Sequence, residues 1–184
     1  MMRLFLGFFL LFHTLFAKEV SGIHLEDTLT YHAQPLQLLG AGTRNKLMFD
    51  LYAAGLYTIK PYTQAHDIIN DDAPMVLRLH VISSLITSEK MEEATREGFD
   101  EVTHHTTHPF QPSIEALIGT FKEEPIVKND IYDLFYLPKE GVIVYKNGVL
   151  KRTMGDAAFK QALFSIWLGK NPIQESLKSA LLGH

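Results

Sequence analysis

The stretch GAGTRNKLMFDLYAAGLY, from Gly40 to Tyr57, decides the fold prediction. Residues 47 to 57 are rich in Leu, Phe, Tyr and Met, with neither a 3.6-residue apolar stripe nor a helix cap, which indicates a largely buried β-strand. We expect the preceding glycines to form a turn that delivers Arg44 to the mouth of this strand. A dinucleotide-binding motif is excluded, because its glycines would have to open a helix. An isolated cation beside an apolar surface suggests a binding site for an amphipathic acid.

The flanking sequence predicts further strands and helices. Strands are expected at residues 23 to 31, 75 to 82, 131 to 137, 142 to 146 and 149 to 153. Helices are expected at residues 61 to 69, 88 to 103, 157 to 168, from Pro112 onward and at the end of the chain. Asn147-Gly148 predicts a tight hairpin, since both central residues of a type I′ turn need positive φ. In the last helix, Asn171 is the expected cap, Pro172 the first residue and Gly183 the terminator.

Strands and helices that occur in blocks favour an α+β fold over a doubly wound sheet. The alternation in residues 75 to 82 places Arg78 and His80 on one face of their strand, with Leu77 and Leu79 on the other. The two helices after this strand are amphipathic and are expected to cover one face of the sheet.

The first 17 residues are typical of a secretory signal peptide. Arg3 supplies positive charge, residues 4 to 16 form a mostly apolar core, and Ala17 ends an acceptable cleavage site. That core is shorter than the roughly 20 residues that span a bilayer, so we expect no stable membrane span after its removal. Residues 18 to 184 then form one domain, which we expect in the periplasm or outside the cell.

The amino-acid composition argues against several classes of function. The net charge is -4 and no basic stripe is present, which argues against nucleic-acid binding. Cysteine is absent, which excludes disulfides, thiolate metal sites and a cysteine nucleophile. His104 and His108 have helical spacing, but no carboxylate follows the zincin pattern and Pro109 ends the element. We therefore expect no metal and no cofactor, and assign no catalytic residue.

Four motifs resemble the chalcone isomerase family, and its bacterial chalcone isomerase-like proteins in particular. They are GAGTR, LYAAGLY, the Lys146-Asn147-Gly148 turn and IWLGKNP from Ile166 to Pro172, and they occur in the family's order. The C-terminal stretch from Phe159 to Gly183 supports the same match. The resemblance implies an open-faced β-sandwich, an antiparallel sheet with helices on one face and a ligand cleft between them. Some family members isomerise chalcones, some bind fatty acids, and many have no assigned reaction.

The resemblance also implies candidate ligand-binding residues. In plant fatty-acid-binding members, an arginine from the glycine motif and a tyrosine from the next strand hold the lipid carboxylate, and Arg44 and Tyr52 fall on those positions. Catalytic members carry threonine where this chain has Tyr52. The alternatives are an arginine that is solvated or paired with Asp50, and a core tyrosine bonded to a backbone carbonyl.

Two further assignments follow from alignment with the flavonoid enzymes. Arg78 falls at a family lysine, and Thr87 falls at a tyrosine that orients the substrate, while Ala94 replaces an asparagine. Both substrate donors of the enzymes would then be missing. The run from Ala53 to Gly55 leaves room either for an acyl chain or for a closely packed helix.

Three functions remain open from the sequence. The first is an exported, non-catalytic protein that binds a fatty acid or similar amphipathic carboxylate between sheet and helices. The second is an intramolecular lyase or isomerase that acts on a chalcone-like or other small aromatic ligand, with Arg44 stabilising an oxyanion. The third is a protein-interaction module with a vestigial cleft. The oligomeric state is not predicted.

Overall fold

A computed structural model describes residues 18 to 184, and the predicted signal peptide at residues 1 to 17 lies outside the described residues. The strands are β1 Lys18–Val20, β2 Ile23–Leu25, β3 Thr28–Tyr31, β4 Gln34–Lys46, β5 Phe49–Thr58, β6 Met75–Val81, β7 Ile131–Leu137, β8 Gly141–Lys146 and β9 Val149–Met154. The α-helices are α1 Ala65–Asn70, α2 Ser88–Val102, α3 Gln111–Lys122, α4 Ala157–Leu168 and α5 Glu175–Leu181, with a 3-10 turn at His108–Phe110.

Strands β3 to β9 form one curled antiparallel sheet in which each strand pairs with its neighbours in sequence. Strands β1 and β2 form a separate hairpin. The helices pack on one face of the sheet, with Phe99, Leu117 and Phe164 contributing to the shared core. The predicted α+β architecture, an antiparallel sheet with a helical layer, is confirmed.

The two faces of the sheet bury different side chains, as the alternation in β6 predicts. Leu77 and Leu79 belong to the large core beneath the helices. Val76 belongs to a smaller cluster on the opposite face, together with Tyr57 and Phe135. Any cleft between sheet and helices must therefore be lined from the first of these faces.

The predicted glycine turn is wrong, because strand β4 runs without interruption through the GAGTR motif. The glycines serve close packing instead. A Cβ atom added at Gly42 would lie 2.6 Å from the Cβ of Ala180, and one at Gly40 would lie 2.6 Å from the nitrogen of Gly183. Side chains at these positions would push helix α5 away from the sheet. The hairpin turn comes later, at Leu47 and Met48.

Helix α5 also starts later than its sequence punctuation predicts. Its N-cap residue is Gln174, and Asn171 and Pro172 lie in the preceding loop. Asn171 donates its amide to Glu101 at 2.8 Å, so its side chain joins this loop to α2. The displaced start leaves Gln174 free to contact strand β4.

None of the helices in residues 18 to 184 is long and apolar enough to cross a membrane. The same residues contain no cluster of three or more metal-ligating His, Asp or Glu side chains. Helix α2 ends at Val102, and His108 begins the 3-10 turn, so His104 and His108 do not share a helix.

A buried lysine joins helix α4 to the end of helix α1. Lys160 is 1% exposed, and its ammonium donates to the carbonyls of Ile68, Ile69 and Asp71 at 2.7 to 2.9 Å. These carbonyls lie at the C-terminal end of α1, where a helix leaves its acceptors unpaired and favours a cation. Lys160 therefore satisfies three acceptors that would otherwise be buried or partly buried without a donor.

We expect Lys160→Met to lower the free energy of unfolding by about 3 kcal/mol, because buried carbonyls lose their donor while the apolar stem is kept. Urea denaturation followed by circular dichroism measures the change. The control is Lys128→Met, since Lys128 is exposed. Equal stability of the two variants would contradict this role for Lys160.

Candidate functional site

A cavity of about 630 Å³ lies between the sheet and the helical layer. Strands β4 and β5 form one wall, and α2, the end of α4 and the loop after it form the others. Most of the wall is apolar and includes Leu79, Leu85, Ile86, Met91, Leu117, Phe121, Leu134, Ile166 and Trp167. The volume lies within the roughly 300 to 1,000 Å³ typical of small-molecule sites.

Arg44 and Tyr52 both line this cavity and are direct cross-strand partners in the β4–β5 ladder. Side chains opposite each other in an antiparallel pair lie on the same face, with Cβ atoms about 5 Å apart. The register shifts between Arg44 and Asn45, where β5 has one extra residue, Leu51, and pairing continues with Asn45 and Asp50. Two polar side chains are thus held side by side at one end of an apolar cavity.

Arg44 has no carboxylate partner within residues 18 to 184. Its Nη1 donates to the Gln174 side-chain oxygen at 3.0 Å and to the carbonyl of Asn45. Asp50, the competitor considered from the sequence, instead accepts from the hydroxyl of Ser21 at 2.8 Å. The guanidinium therefore keeps its positive charge uncompensated and has donors left for an anion.

Gln174 positions Arg44 by joining helix α5 to strand β4. Its oxygen accepts from both Arg44 Nη1 and the backbone nitrogen of Asn45, each at 3.0 Å. Its Nε2 donates to the carbonyl of Thr43 at 3.3 Å and to the Ser176 hydroxyl at 2.7 Å. Sequence analysis missed this role, because the partners are about 130 residues apart and no local motif connects them.

Tyr52 is buried, and its oxygen accepts a hydrogen bond from Nε1 of Trp167 at 2.9 Å. Its own hydrogen has no acceptor in the part of the chain from residue 18 onward. Burial raises the pKa of Tyr52 to about 12, against the opposing effects of the Trp167 N–H and the charge of Arg44. The phenol therefore stays protonated at neutral pH and can donate to a ligand oxygen.

Helix α2 contributes carboxylates to the cavity wall. Glu93, Glu97 and Glu101 line it at four-residue intervals, on one face of the helix. Lys46 and Lys90 line the cavity as well. Because Lys90 belongs to the same helix as the glutamates, a bound anion is favoured beside Arg44 and Lys46 on strand β4.

The structure does not bring Arg78 into this cavity. Arg78 projects from the other face of β6, where it is 9% exposed. It donates to both carboxylate oxygens of Asp133, at 2.7 and 3.0 Å, and to Glu26 at 2.7 Å. This arginine is fully paired with carboxylates, and its expected place in the ligand site is not supported by the fold.

Thr87 also lies outside the cavity lining. Its side-chain oxygen accepts from the backbone nitrogen of Lys90 at 3.3 Å and so caps helix α2. The N-cap of α2 is therefore Thr87. Ala94, which the resemblance aligns with a catalytic asparagine, does line the cavity but offers no donor.

The small residues of β5 do not enlarge the cavity. Ala54 lies under the helical layer, opposite Gly42, where helix α5 approaches the sheet. Gly55 faces the other way, and a Cβ there would lie 3.3 Å from Leu25 and Leu38. Of the two explanations for this run, the closely packed helix agrees with the structure.

Comparisons with known proteins agree with this architecture. The model of the chalcone isomerase-like family matches residues 17–183. The crystal structure of a fatty-acid binding protein from Arabidopsis thaliana superposes with a TM-score of 0.70. That match covers 88% of this chain and 92% of the plant protein at 16% sequence identity. No curated protein matches the sequence significantly. With the family match extending over nearly all described residues, the chain belongs to the chalcone isomerase-like family.

Proposed function

We propose that this protein binds a fatty acid or a similar amphipathic carboxylate in the cavity between sheet and helices, without catalysing a reaction. The observation that supports this most is the uncompensated charge of Arg44 beside the free O–H of Tyr52, at one end of an apolar cavity. The similarity in fold to a plant fatty-acid binding protein is consistent with it.

The polar end of the ligand would lie against β4 and β5. Arg44 would form a charge-assisted hydrogen bond with the carboxylate, and Tyr52 would donate a second one. Such bonds are stronger where water is partly excluded, as it is beside the buried phenol. Gln174 would hold the guanidinium in place before the ligand arrives, which lowers the entropy lost on binding.

The apolar tail would occupy the cavity between Leu79, Met91 and Phe121. Each methylene moved from water into such an environment contributes about 0.8 kcal/mol. The acyl chain would therefore supply most of the affinity, and the arginine would decide which end of the molecule lies at β4. The open cavity also argues against a vestigial cleft in a module used only for protein contacts.

We also propose that residues 1 to 17 direct export to the periplasm or the medium and are then removed. Support comes from the charge and apolar core of this segment and from the absence of cysteine in the whole chain. An exported binding protein would meet lipids or small acids outside the cytoplasm.

Native mass spectrometry of the protein purified from its own cells tests the binding proposal and the removal of residues 1 to 17 together. We expect the mass of residues 18 to 184 with one bound acid. Arg44→Ala should weaken binding roughly tenfold or more, because a charge-assisted hydrogen bond contributes about 1.5 to 3 kcal/mol. The control is Arg152→Ala, because Arg152 pairs with Glu123 away from the cavity. An acid-free protein, with equal affinity for added acid in both variants, would reject the proposal.

Tyr52→Phe should weaken acid binding about fivefold, since one neutral hydrogen bond contributes roughly 1 kcal/mol. Because the pKa of Tyr52 is raised to about 12, its donor persists well above the usual tyrosine value. The difference in affinity between wild type and Tyr52→Phe should thus be the same at about pH 7 and about pH 10. Isothermal titration calorimetry measures it, with melting curves checking that the loss of the Trp167 partner leaves the variant folded. A difference that is roughly halved by about pH 10 would show that the phenol ionises at its usual pKa.

The second candidate function is an intramolecular lyase or isomerase for a chalcone-like or small aromatic ligand. The observation in its favour is that Arg44 and Tyr52 offer two donors that could stabilise an oxyanion. The cavity, however, presents Ala94 where an orienting donor is expected, and Thr87 is used as a helix cap.

We expect no acceleration of chalcone ring closure over the uncatalysed reaction, followed by absorbance, because two donors alone do not orient the substrate. Turnover that is lost in Arg44→Ala and kept in Arg152→Ala would establish the enzyme instead.

A further inference from the structure

The tip of the β4–β5 hairpin exposes three consecutive apolar side chains. Leu47 and Met48 are each 92% exposed, and Phe49 is 53% exposed. Leu85, at 41%, is a further exposed apolar residue of the cavity wall. Single exposed apolar residues are common on protein surfaces, but a contiguous group marks a contact surface.

The backbone conformation of the turn does not explain why these residues are apolar. Leu47 has φ +59°, a left-handed conformation that favours glycine or asparagine over a branched side chain. The β8–β9 hairpin of the same sheet uses Asn147 and Gly148 at its turn, with φ of +52° and +77°. The β4–β5 turn thus keeps an apolar residue where backbone preference favours another type, which indicates that the side chain has a use.

The exposed tip is continuous with the cavity. Leu47, Phe49 and Leu85 are exposed and also line the cavity, so apolar surface runs from the hairpin tip into the interior. An acyl chain could follow these apolar side chains from the tip into the cavity. A role for this surface in the uptake of an acid rests on the proposed function.

Charged residues adjoin the tip on both sides in sequence. Lys46 is exposed and precedes it, and Lys90 is exposed on the cavity rim. Asp50 is exposed and follows the tip, but it accepts from the hydroxyl of Ser21, which also contacts Thr43, on the face of the hairpin away from the cavity. The whole chain has a net charge of -4, and Glu93 and Glu97 lie farther along α2 than Lys90. An anionic surface would consequently attract the lysines on the cavity side of the tip.

We propose that the tip of the β4–β5 hairpin, residues 47 to 49, inserts into the surface of an anionic phospholipid bilayer and that the acid passes between bilayer and cavity at this point. A protein partner is less suitable, since a stable interface buries about 800 Å² on each side and three protruding side chains supply a fraction of that area. Apolar side chains flanked by lysine are the combination that binds at a lipid interface.

The absence of cysteine permits a site-specific test in the full chain. Met48→Cys and Val149→Cys are each labelled with the environment-sensitive dye NBD. Val149 is the matched position, because it is 59% exposed and follows the β8–β9 turn. With phosphatidylcholine vesicles containing phosphatidylglycerol, we expect a blue shift at residue 48 and none at residue 149. Vesicles of phosphatidylcholine alone should give a weaker shift.

A second pair of variants measures the contribution to binding. Met48→Glu should reduce co-flotation with the anionic vesicles roughly fivefold or more, since it replaces an inserted apolar group by a charge. Val149→Glu adds the same charge elsewhere and should have little effect. Both variants are produced and processed in the same way at residues 1 to 17, so any membrane affinity of that segment cancels. Met48 lies outside the cavity lining, so acid binding in solution should be unchanged in Met48→Glu.

Equal NBD responses at residues 48 and 149, or equal flotation of the two glutamate variants, would overturn membrane insertion. A shift at residue 48 that depends on protein concentration without vesicles would also overturn it, in favour of contact between two copies of the chain. Acid binding measured without vesicles decides the proposed function separately, so failure of one proposal is distinguishable from failure of the other.

Discussion

Close contact between helix α5 and strand β4 is the constraint on which the site depends. With no side chain at Gly40 or Gly42, the helix approaches the strand until Ala180 and Gly183 lie against its backbone. At this distance Gln174, the residue before α5, reaches the strand and bonds to three consecutive residues of it, Thr43 to Asn45. The orientation of Arg44 is therefore set by helix packing that begins two to four residues earlier in the strand.

The same packing explains why the cavity lies where it does. Helix α5 closes one part of the helical side of the sheet, whereas α2 and the end of α4 surround a space over β5 and β6. Trp167 marks one boundary of this cavity, because its indole N–H donates a hydrogen bond to the hydroxyl oxygen of Tyr52. Because this bond uses the phenol as an acceptor, the phenol's donor remains free. At the polar end of the cavity, Gln174 and Trp167 thus hold Arg44 and Tyr52 in place. The remaining donors of these two side chains are left for a ligand.

Part of this arrangement follows from the sequence. The α+β class, the alternating faces of β6 and the Asn147-Gly148 hairpin depend on local periodicity and turn chemistry, which a sequence displays directly. Glycines at 40 and 42 are ambiguous, since a turn and a close helix contact both require a missing side chain. The Gln174–Arg44 and Trp167–Tyr52 bonds join residues more than 100 positions apart, and no local pattern encodes such contacts.

The two arginines of the central strands show why partner geometry, not residue type, separates a structural role from a ligand role. Arg78 is neutralised by Asp133 and Glu26, and removing one member of such a buried pair leaves a charge that the fold cannot accommodate. Arg44 has no such partner in the described chain, so the fold gains little ionic stabilisation from it. Local arrangements that do not favour stability concentrate at functional sites. An incoming carboxylate would give Arg44 the partner that Asp133 gives Arg78.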